Sequence, residues 1–142
     1  MNQKKMDKFF IELAKTTSTL SKDPSTKVGA VIVKDNRQIS TGYNGFPRGL
    51  TETDEKWNNK ELKHEYVIHA ELNAIINCPF DTKGSTLYCT HRPCHRCLGH
   101  IVNAGIERVV YLHWYEKVTH RYIQSIWADI SDLVKVEQLS KV

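Results

Sequence analysis

The 142-residue sequence predicts an α/β fold of three layers, α/β/α, in which helices cover both faces of a central five-stranded mixed sheet. Two observations lead to this prediction. The apolar patterns run in the order helix, strand, strand, and then alternate between helix and strand. No repeat, low-complexity tract or linker interrupts that order, so we expect a single domain over residues 1–142.

The first half of the chain predicts one helix and a pair of strands. Apolar residues recur at helical spacing between Met6 and Leu20. The run VGAVIV, residues 28–33, predicts a buried strand, and ISTGYN, residues 39–44, predicts a second strand after the turn DNRQ. Residues 45–66 are polar and contain glycine and proline, so we expect a long loop that could include a turn of helix. A loop of this length in a small domain is usually functional.

The second half alternates between helix and strand. Gly105 is expected to end one of its helices. The helices are predicted at residues 69–78, 94–105 and 120–130, and the strands at residues 85–90, 108–113 and 133–139.

Bulk properties exclude several classes of protein. No apolar run approaches the roughly 20 residues that cross a bilayer, so no membrane partner is expected. The first ten residues, MNQKKMDKFF, have no apolar segment of the signal-peptide kind, so we expect a cytoplasmic protein. Four unevenly spaced cysteines favour reduced thiols. The net charge of +4 suits an anionic small molecule or weak nucleic-acid contact, and decides neither.

The segment THRPCHRC, residues 90–97, contains two cysteines at the start of a predicted helix. Cys94 and Cys97 are three residues apart, so their sulfur atoms share one helix face and can reach the same ion. The positive end of the helix dipole favours thiolates there. A redox pair, a structural zinc site and a catalytic metal site are all compatible with this pattern.

A second predicted helix begins at IHAELNAI, which contains His69 and Glu71. Successive helices that follow strands begin at the same edge of a sheet, so His69 can meet Cys94 and Cys97. Three protein ligands leave the fourth zinc position open, as in catalytic sites. Two thiolates neutralise the metal and weaken it as a Lewis acid, so its water needs a base, and Glu71 is placed for that role. The pattern H-x-E followed by P-C-x-x-C is the signature of zinc-dependent nucleobase deaminases.

Five segments resemble the deoxycytidylate (dCMP) deaminase family, in its order and spacing, from about Lys8 to Val136. The resemblance implies a cytidine-deaminase-like fold and hydrolysis of dCMP to dUMP and ammonia, which supplies the precursor of thymidylate. It also implies a homo-oligomer, usually a hexamer, with dCTP as activator and dTTP as inhibitor. The segments are SKDPSTKVGAVIV, TGYNGFPRG, HAELNAI, LYCTHRPCHRC and NAGIERVVY.

The resemblance also implies roles for individual residues. It makes His69, Cys94 and Cys97 the zinc ligands and Glu71 the proton shuttle. Some relatives bind a second zinc through an insert rich in cysteine and histidine, which residues 45–66 lack, so we expect one zinc per chain. The implied substrate contacts are Val28, Gly29 and Ala30 at the cytosine ring, Asn44 at the sugar and Tyr115 near the nucleotide, with Lys22 and Lys27 as phosphate candidates.

The effectors are expected at the GYNG loop, where glycines allow close approach and cations neutralise phosphate together with Mg²⁺. An ordinary surface loop in an unregulated enzyme is the alternative. Likewise, Asn44 could serve only as a turn residue, and Tyr115 could cap a core. The expected effector contacts are Asn44, Gly45, Arg48, Gly49, Lys63 and His64.

Other functions compete with dCMP deamination. The same zinc chemistry serves deaminases of cytidine, guanine or tRNA adenosine, and a viral relative could also accept dCTP. A non-catalytic zinc or nucleic-acid-binding module is a rival of another class. Such a module has no use for Glu71, and the sequence has no basic stripe with interleaved aromatic residues, so no nucleic-acid partner is expected.

Overall fold

The computed structural model describes residues 2–114 and 121–139. The early part of the chain contains one helix, a strand pair and two short helices, and the later part alternates between helix and strand. In chain order the elements are α1 Gln3–Ser18, β1 Gly29–Lys34, β2 Arg37–Tyr43, α2 Asp54–Asn58, α3 Lys60–Tyr66, α4 Ala70–Ile76, β3 Thr86–His91, α5 His95–Asn103, β4 Arg108–His113, α6 Ile123–Ser131 and β5 Lys135–Gln138.

The five strands form one mixed sheet in the order β2-β1-β3-β4-β5. β1 runs antiparallel to both β2 and β3. β3, β4 and β5 are parallel to one another. The predicted fold class, a five-stranded mixed sheet with helices, is therefore confirmed.

Helices cover both faces of the sheet. On one face, Phe10 and Ile11 of α1 pack in a buried cluster with Val31 and Tyr88. On the other face, helices α4 and α5 pack over β1, β3 and β4, and Trp127 of α6 packs against the same cluster. Cover on both faces explains why β1 is almost continuously apolar.

Two glycines let helices approach the sheet closely. A Cβ atom on Gly29 would lie 2.0 Å from the carbonyl oxygen of Ala14 in α1. A Cβ atom on Gly42 would lie 2.4 Å from the backbone nitrogen of Ala74 in α4. Because these neighbours are helix backbone, any side chain at either position would push a helix away from the sheet.

The first helix is held to the sheet by a buried carboxylate. Asp7 accepts hydrogen bonds from the Tyr88 hydroxyl at 2.6 Å and from two Arg108 nitrogens at 2.9 and 2.7 Å. Burial opposes the charge on Asp7, but the hydrogen bonds from Arg108, Tyr88 and Gln3 more than offset it and lower its pKa. Arg108 also donates to Glu137 at 2.7 Å, so the network joins α1 to β3, β4 and β5.

The turn between the first two strands is shorter than predicted. It contains only Asp35 and Asn36, both with positive φ, at 52° and 61°. A two-residue turn with φ above zero at both positions matches the twist of a β-hairpin, and Asp and Asn tolerate that conformation. Arg37 and Gln38, which we expected in the turn, therefore pair with β1.

Residues 45–66 contain more helix than the predicted long loop with a turn of helix, because two short helices, α2 and α3, lie within them. The Thr53 side chain caps α2 by accepting from the backbone of Lys56, and Asn59 caps α3 by accepting from Leu62. The ring of Phe46 stacks on the ring of Trp57, with 3.9 Å between the ring centres. Aromatic contacts and caps thus hold the segment, rather than a wide apolar stripe.

Across the described ranges, no helix is both long enough and apolar enough to pass through a membrane.

Candidate active site

Three metal-binding side chains meet where α4 and α5 begin. His69 is the N-cap residue of α4 and Cys94 is the N-cap residue of α5. Cys97 lies in the first turn of α5, and its backbone nitrogen donates to the Cys94 sulfur at 3.4 Å. The two helix starts bring together residues that are 25 and 28 positions apart in the sequence.

The geometry of this group fits a tetrahedral zinc ion. The His69 Nδ1 atom lies 3.2 Å from the Cys97 sulfur and 3.6 Å from the Cys94 sulfur. Zn–N and Zn–S bonds of about 2.0 and 2.3 Å place tetrahedral nitrogen and sulfur ligands about 3.5 Å apart. All three ligand atoms lie within 4.8 Å of one another. His69, Cys94 and Cys97 can therefore hold one metal ion.

The two thiols differ in acidity. The pKa of Cys94 falls below that of a free thiol, chiefly because its sulfur accepts a hydrogen bond from the Cys97 thiol and further ones from His69 and the backbone. The same thiol–thiol hydrogen bond, together with burial, raises the pKa of Cys97. The pair therefore stabilises one thiolate, and a divalent cation favours both.

Glu71 is the second residue of α4 and is only 4 % exposed. Burial raises the pKa of its carboxyl above the usual value, although the neighbouring His69 acts in the opposite direction. A carboxyl with a raised pKa takes up a proton more readily than an exposed one, which suits a group that must accept a proton and return it. Its position two residues after a metal ligand is therefore compatible with a proton relay.

The metal group and Glu71 open onto a cavity of about 600 Å³, a size that suits a small ligand. The cavity is bounded by the segment before β1, by the end of β2, by α3, and by residues of α6. The starts of α4 and α5 form its floor. Its lining residues are Asp23, Ser25, Thr26, Val28, Asn44, Lys63, His64, Val67, His69, Ala70, Glu71, His91, Arg92, Pro93, Cys94, His95, Arg96, Ile123 and Trp127.

A family model for the cytidine and deoxycytidylate deaminase zinc-binding region matches residues 4–113, which include the whole metal group and Glu71. The chain belongs to this deaminase family. The resemblance predicted from the sequence motifs is therefore confirmed.

Individual relatives agree with this assignment. A probable deoxycytidylate deaminase of Caenorhabditis elegans is 42% identical over 117 residues, which are 79% of this chain and 59% of the worm protein. The deoxycytidylate deaminase of Mus musculus is 40% identical over 111 residues, which are 73% of this chain and 62% of the mouse protein. The chain thus spans about three fifths of the length of these two relatives.

A dCMP deaminase of the cyanophage S-TIM5, crystallised with dCMP and dUMP, has a similar structure. It superposes with a TM-score of 0.78 at 28% sequence identity, and the match covers 97% of this chain and 98% of the phage protein. The match extends beyond the family model and includes nearly the whole chain.

Asn44, a residue expected at the sugar, lines the cavity and also supports its wall. Its side-chain oxygen accepts from the backbone of Val28 at 2.9 Å, and its amide nitrogen donates to the carbonyl of Thr26 at 2.9 Å and to Asp23 at 3.3 Å. All three contacts of the Asn44 amide are with protein atoms, so its role at the sugar stays a prediction.

Among the other expected ring contacts, Val28 lines the cavity, whereas Gly29 and Ala30 are not among the lining residues of the described chain. The missing side chain of Gly29 gives room to α1, as described above, and its backbone nitrogen donates to Thr90 at 3.1 Å. Tyr115 lies outside the described residues. The proposed ring contacts of Val28, Gly29 and Ala30 stay predictions.

The two lysines expected at the phosphate do not line this cavity. Lys22 lies 3.4 Å from Glu52 in an exposed ion pair. Lys27 donates to the backbone oxygen of Ser21 at 2.7 Å. Their role in phosphate binding stays a prediction, and it requires these side chains to leave their present partners.

The expected effector residues fall into two groups. Asn44, Lys63 and His64 line the cavity, and Lys63 forms a buried ion pair with Asp23 at 3.1 Å. Gly45, Arg48 and Gly49 lie on the loop that leads from β2 toward α2, where Gly49 has a φ of 89°. Arg48 is exposed and donates to Asn77 at the end of α4 at 3.1 Å.

Sequence reasoning missed Asp23 and Arg92 as cavity residues. Asp23 accepts from Ser25, Thr26, Asn44 and Lys63, so it organises one wall. Asp23 belongs to the segment SKDPST, which precedes the first strand and is part of the family resemblance, so its place in the sequence could have indicated a cavity residue. Arg92 lies two residues before Cys94, and this closeness to the metal group could have indicated a cavity residue.

Proposed function

We propose that this chain catalyses the hydrolysis of dCMP to dUMP and ammonia. The observation that carries this proposal is the buried carboxyl of Glu71, which opens onto the same cavity as the His69–Cys94–Cys97 group. The likeness to a phage enzyme crystallised with dCMP and dUMP supports the choice of substrate.

The proposed reaction replaces the C4 amine of cytosine with oxygen. A water oxygen adds to C4, N3 gains a proton, and the amine leaves with a second proton as ammonia, so water and dCMP give dUMP and ammonia. A zinc ion held by His69, Cys94 and Cys97 supplies a Lewis acid that makes water acidic enough to react at neutral pH.

Glu71 carries the protons in this scheme. Its carboxylate accepts one proton from the attacking water and delivers it to N3. It then takes the second proton from the added hydroxyl group and delivers it to the leaving amine.

The experiment is a parallel assay of the zinc-loaded protein with dCMP, deoxycytidine and cytidine, followed by the loss of ultraviolet absorbance. We expect dCMP to be the preferred substrate by kcat/KM. Preference for cytidine would instead assign the chain to the nucleoside branch of its family. No turnover of any cytosine compound would overturn the proposed function.

We also propose that dCTP activates and dTTP inhibits this enzyme, each bound with Mg²⁺ at Asn44, Gly45, Arg48, Gly49, Lys63 and His64. Support comes from the loop after β2, which touches both ends of the helix that carries Glu71. Gly45 pairs with Ile68 just before α4, and Arg48 contacts Asn77 just after it. A ligand that prefers one arrangement of this loop would shift the position of α4.

The remaining proposals concern the assembled protein. We propose that residues 1–142 act as one deaminase domain, with one zinc per chain, in a cytoplasmic homo-oligomer, expected to be a hexamer. The family to which the chain belongs supports the zinc. Light scattering coupled to size-exclusion chromatography measures the assembly, and a mass near that of one 16.4-kDa chain would contradict the hexamer.

A further inference from the structure

A second buried carboxylate, Asp23, lines the cavity, and the proposed reaction does not use it. Its two oxygens have different partners. Oδ1 accepts from the backbone nitrogens of Ser25 and Thr26 at 2.8 and 3.3 Å, and from the ammonium group of Lys63 at 3.1 Å. Oδ2 accepts from the side-chain nitrogen of Asn44 at 3.3 Å. One oxygen therefore anchors the carboxylate, and the other is directed at Asn44.

The orientation of the Asn44 amide is set by its neighbours. Its oxygen accepts from the backbone of Val28 at 2.9 Å, whereas its nitrogen faces two acceptors, the carbonyl of Thr26 at 2.9 Å and Asp23. An amide turned by half a rotation would place its oxygen against both acceptors and its nitrogen against a donor. The backbone of Asn44 is also fixed, because its nitrogen donates to Val28 at 3.3 Å and its carbonyl accepts from the Ser21 hydroxyl at 2.9 Å. Asp23 therefore helps to hold the Asn44 side chain in one orientation.

Lys63 compensates the charge of this carboxylate. The side chains of Lys63 and Asp23 are only 4% and 7% exposed, and a buried carboxylate without a counter-charge is costly. The ion pair thus allows a charged acceptor to stand beside Asn44. An amide at position 23 could not replace it, because one oxygen would remain with the anchoring donors and the amide nitrogen would face the nitrogen of Asn44. Two donors would then oppose each other.

We propose that Asp23 is a positioning residue for recognition of the substrate's sugar, that it acts through Asn44, and that Lys63 is its counter-ion. The inference rests on the proposed function and on the predicted contact of Asn44 with the sugar. The deoxyribose of dCMP has one free hydroxyl group, at C3′, because C2′ carries only hydrogen and the oxygen on C5′ carries the phosphate. Loss of the Asp23 carboxylate therefore weakens recognition of that hydroxyl group and leaves the metal group and Glu71 in place.

The test compares dCMP with 2′,3′-dideoxycytidine 5′-monophosphate (ddCMP), which lacks the C3′ hydroxyl group. kcat/KM is measured for both compounds, without triphosphates, in zinc-loaded wild type, Asp23→Asn and Lys63→Met. We expect wild type to prefer dCMP, and Asp23→Asn to lower kcat/KM roughly 10-fold for dCMP, mainly through KM, but no more than about twofold for ddCMP. Lys63→Met keeps the contact between Asp23 and Asn44, so its dCMP-to-ddCMP ratio should stay within about twofold of wild type although it melts at a lower temperature. Asp35→Asn is the matched control, because Asp35 is exposed in the turn between β1 and β2 and asparagine tolerates its positive φ.

Several outcomes would overturn the inference. Wild type that deaminates dCMP and ddCMP equally well recognises no sugar hydroxyl, and equal losses with both substrates in Asp23→Asn would show that Asp23 only holds the wall together. A ratio that falls as far in Lys63→Met as in Asp23→Asn would contradict the separate roles of the two charges. If Asp23→Asn does not fold, the double variant Asp23→Asn/Lys63→Met, which removes both charges, decides: a ratio equal to that of wild type overturns the inference, and a clearly smaller ratio supports it. Wild type that fails to deaminate dCMP would refute the proposed function itself, which is a different failure.

Discussion

The backbones of Gly45 and Ile68 exchange two hydrogen bonds, with N···O distances of 3.1 and 2.7 Å. Ile68 immediately precedes His69, one of the three side chains that could hold a metal ion, so the end of the GYNG segment is fixed to the start of α4, the helix that carries Glu71. Arg48, three residues beyond Gly45, contacts Asn77 at the other end of the same helix at 3.1 Å. The loop therefore spans α4 from one end to the other.

Arg48→Ala is expected to weaken the response of dCMP turnover to dCTP and dTTP, while leaving turnover without effector within about threefold. The reason is that the substitution removes the contact with Asn77 and a cation for the triphosphate. Titration of each triphosphate measures the change, with Arg37→Ala as control. An effector response in Arg48→Ala identical to wild type would remove Arg48 from the effector site. A wild type indifferent to both triphosphates would end the regulatory proposal.

Glu71→Gln is expected to keep its fold and about one zinc per chain, and to lose at least several hundredfold in kcat. An amide fills the same space but cannot accept the proton of the attacking water. Circular dichroism, zinc analysis and the dCMP assay measure these three properties. Glu65→Gln, which removes an exposed carboxylate of α3, should behave as wild type. Near-normal turnover by Glu71→Gln would refute the proton relay.

Cys94→Ala is expected to lose its zinc and to melt at a lower temperature. Cys94 belongs to the only group of metal-binding side chains found in the described ranges, and the metal would tie the start of α5 to the start of α4. Elemental analysis and thermal unfolding measure both effects. Cys78→Ala, at a half-buried thiol outside the metal group, is the matched control. A full complement of zinc in Cys94→Ala would contradict the ligand set.

Gly42→Ala is expected to destabilise the fold by about 1–3 kcal/mol, because the new methyl group would meet the backbone of α4 at 2.4 Å. Gly99→Ala is the control, since a Cβ atom on Gly99 in α5 has no atom within 4 Å. Alanine favours a helix over glycine there by up to about 1 kcal/mol. Urea unfolding measures both changes, and equal stability of the two variants would disprove the close approach.

Asp7→Asn is expected to lower the free energy of unfolding by about 2–4 kcal/mol at pH 7, because it leaves Arg108 without its buried carboxylate partner. The pKa of Asp7 is lowered in the folded protein, so its contribution to stability is full above the pKa of an unfolded aspartate, near pH 4. The contribution is lost as the pH falls through the lower folded value. The difference in unfolding free energy between wild type and Asp7→Asn should therefore shrink in acid.

Urea unfolding of wild type and Asp7→Asn at neutral and acidic pH tests whether the difference in unfolding free energy shrinks as the pH falls. Glu12→Gln removes an exposed i,i+3 ion pair with Lys15 and should cost less than 1 kcal/mol at either pH. A difference between wild type and Asp7→Asn that grows as the pH falls would show that the charge on Asp7 opposes folding.

The metal group was predictable because its signals are local. Each ligand lies at a helix start that a few neighbouring residues identify, and the topology brings those starts together. The buried pair of Lys63 and Asp23 was not predictable in the same way. The two residues are 40 positions apart, and a lysine in a polar segment is ordinarily exposed. Helices α2 and α3 each bury one residue in the structure, so they lack the apolar period that identifies helices in sequence.

The bond between Asp7 and Arg108 joins positions 101 residues apart, and this separation has a consequence for synthesis. Until β4 has emerged from the ribosome, the first helix has no guanidinium for its carboxylate, and Val110, part of its apolar partner cluster, is still missing. We therefore expect the oldest part of the nascent chain to be among the last to become resistant to proteases. Limited proteolysis of stalled nascent chains would reveal this, and early protection of α1, before Arg108 is exposed, would argue against it.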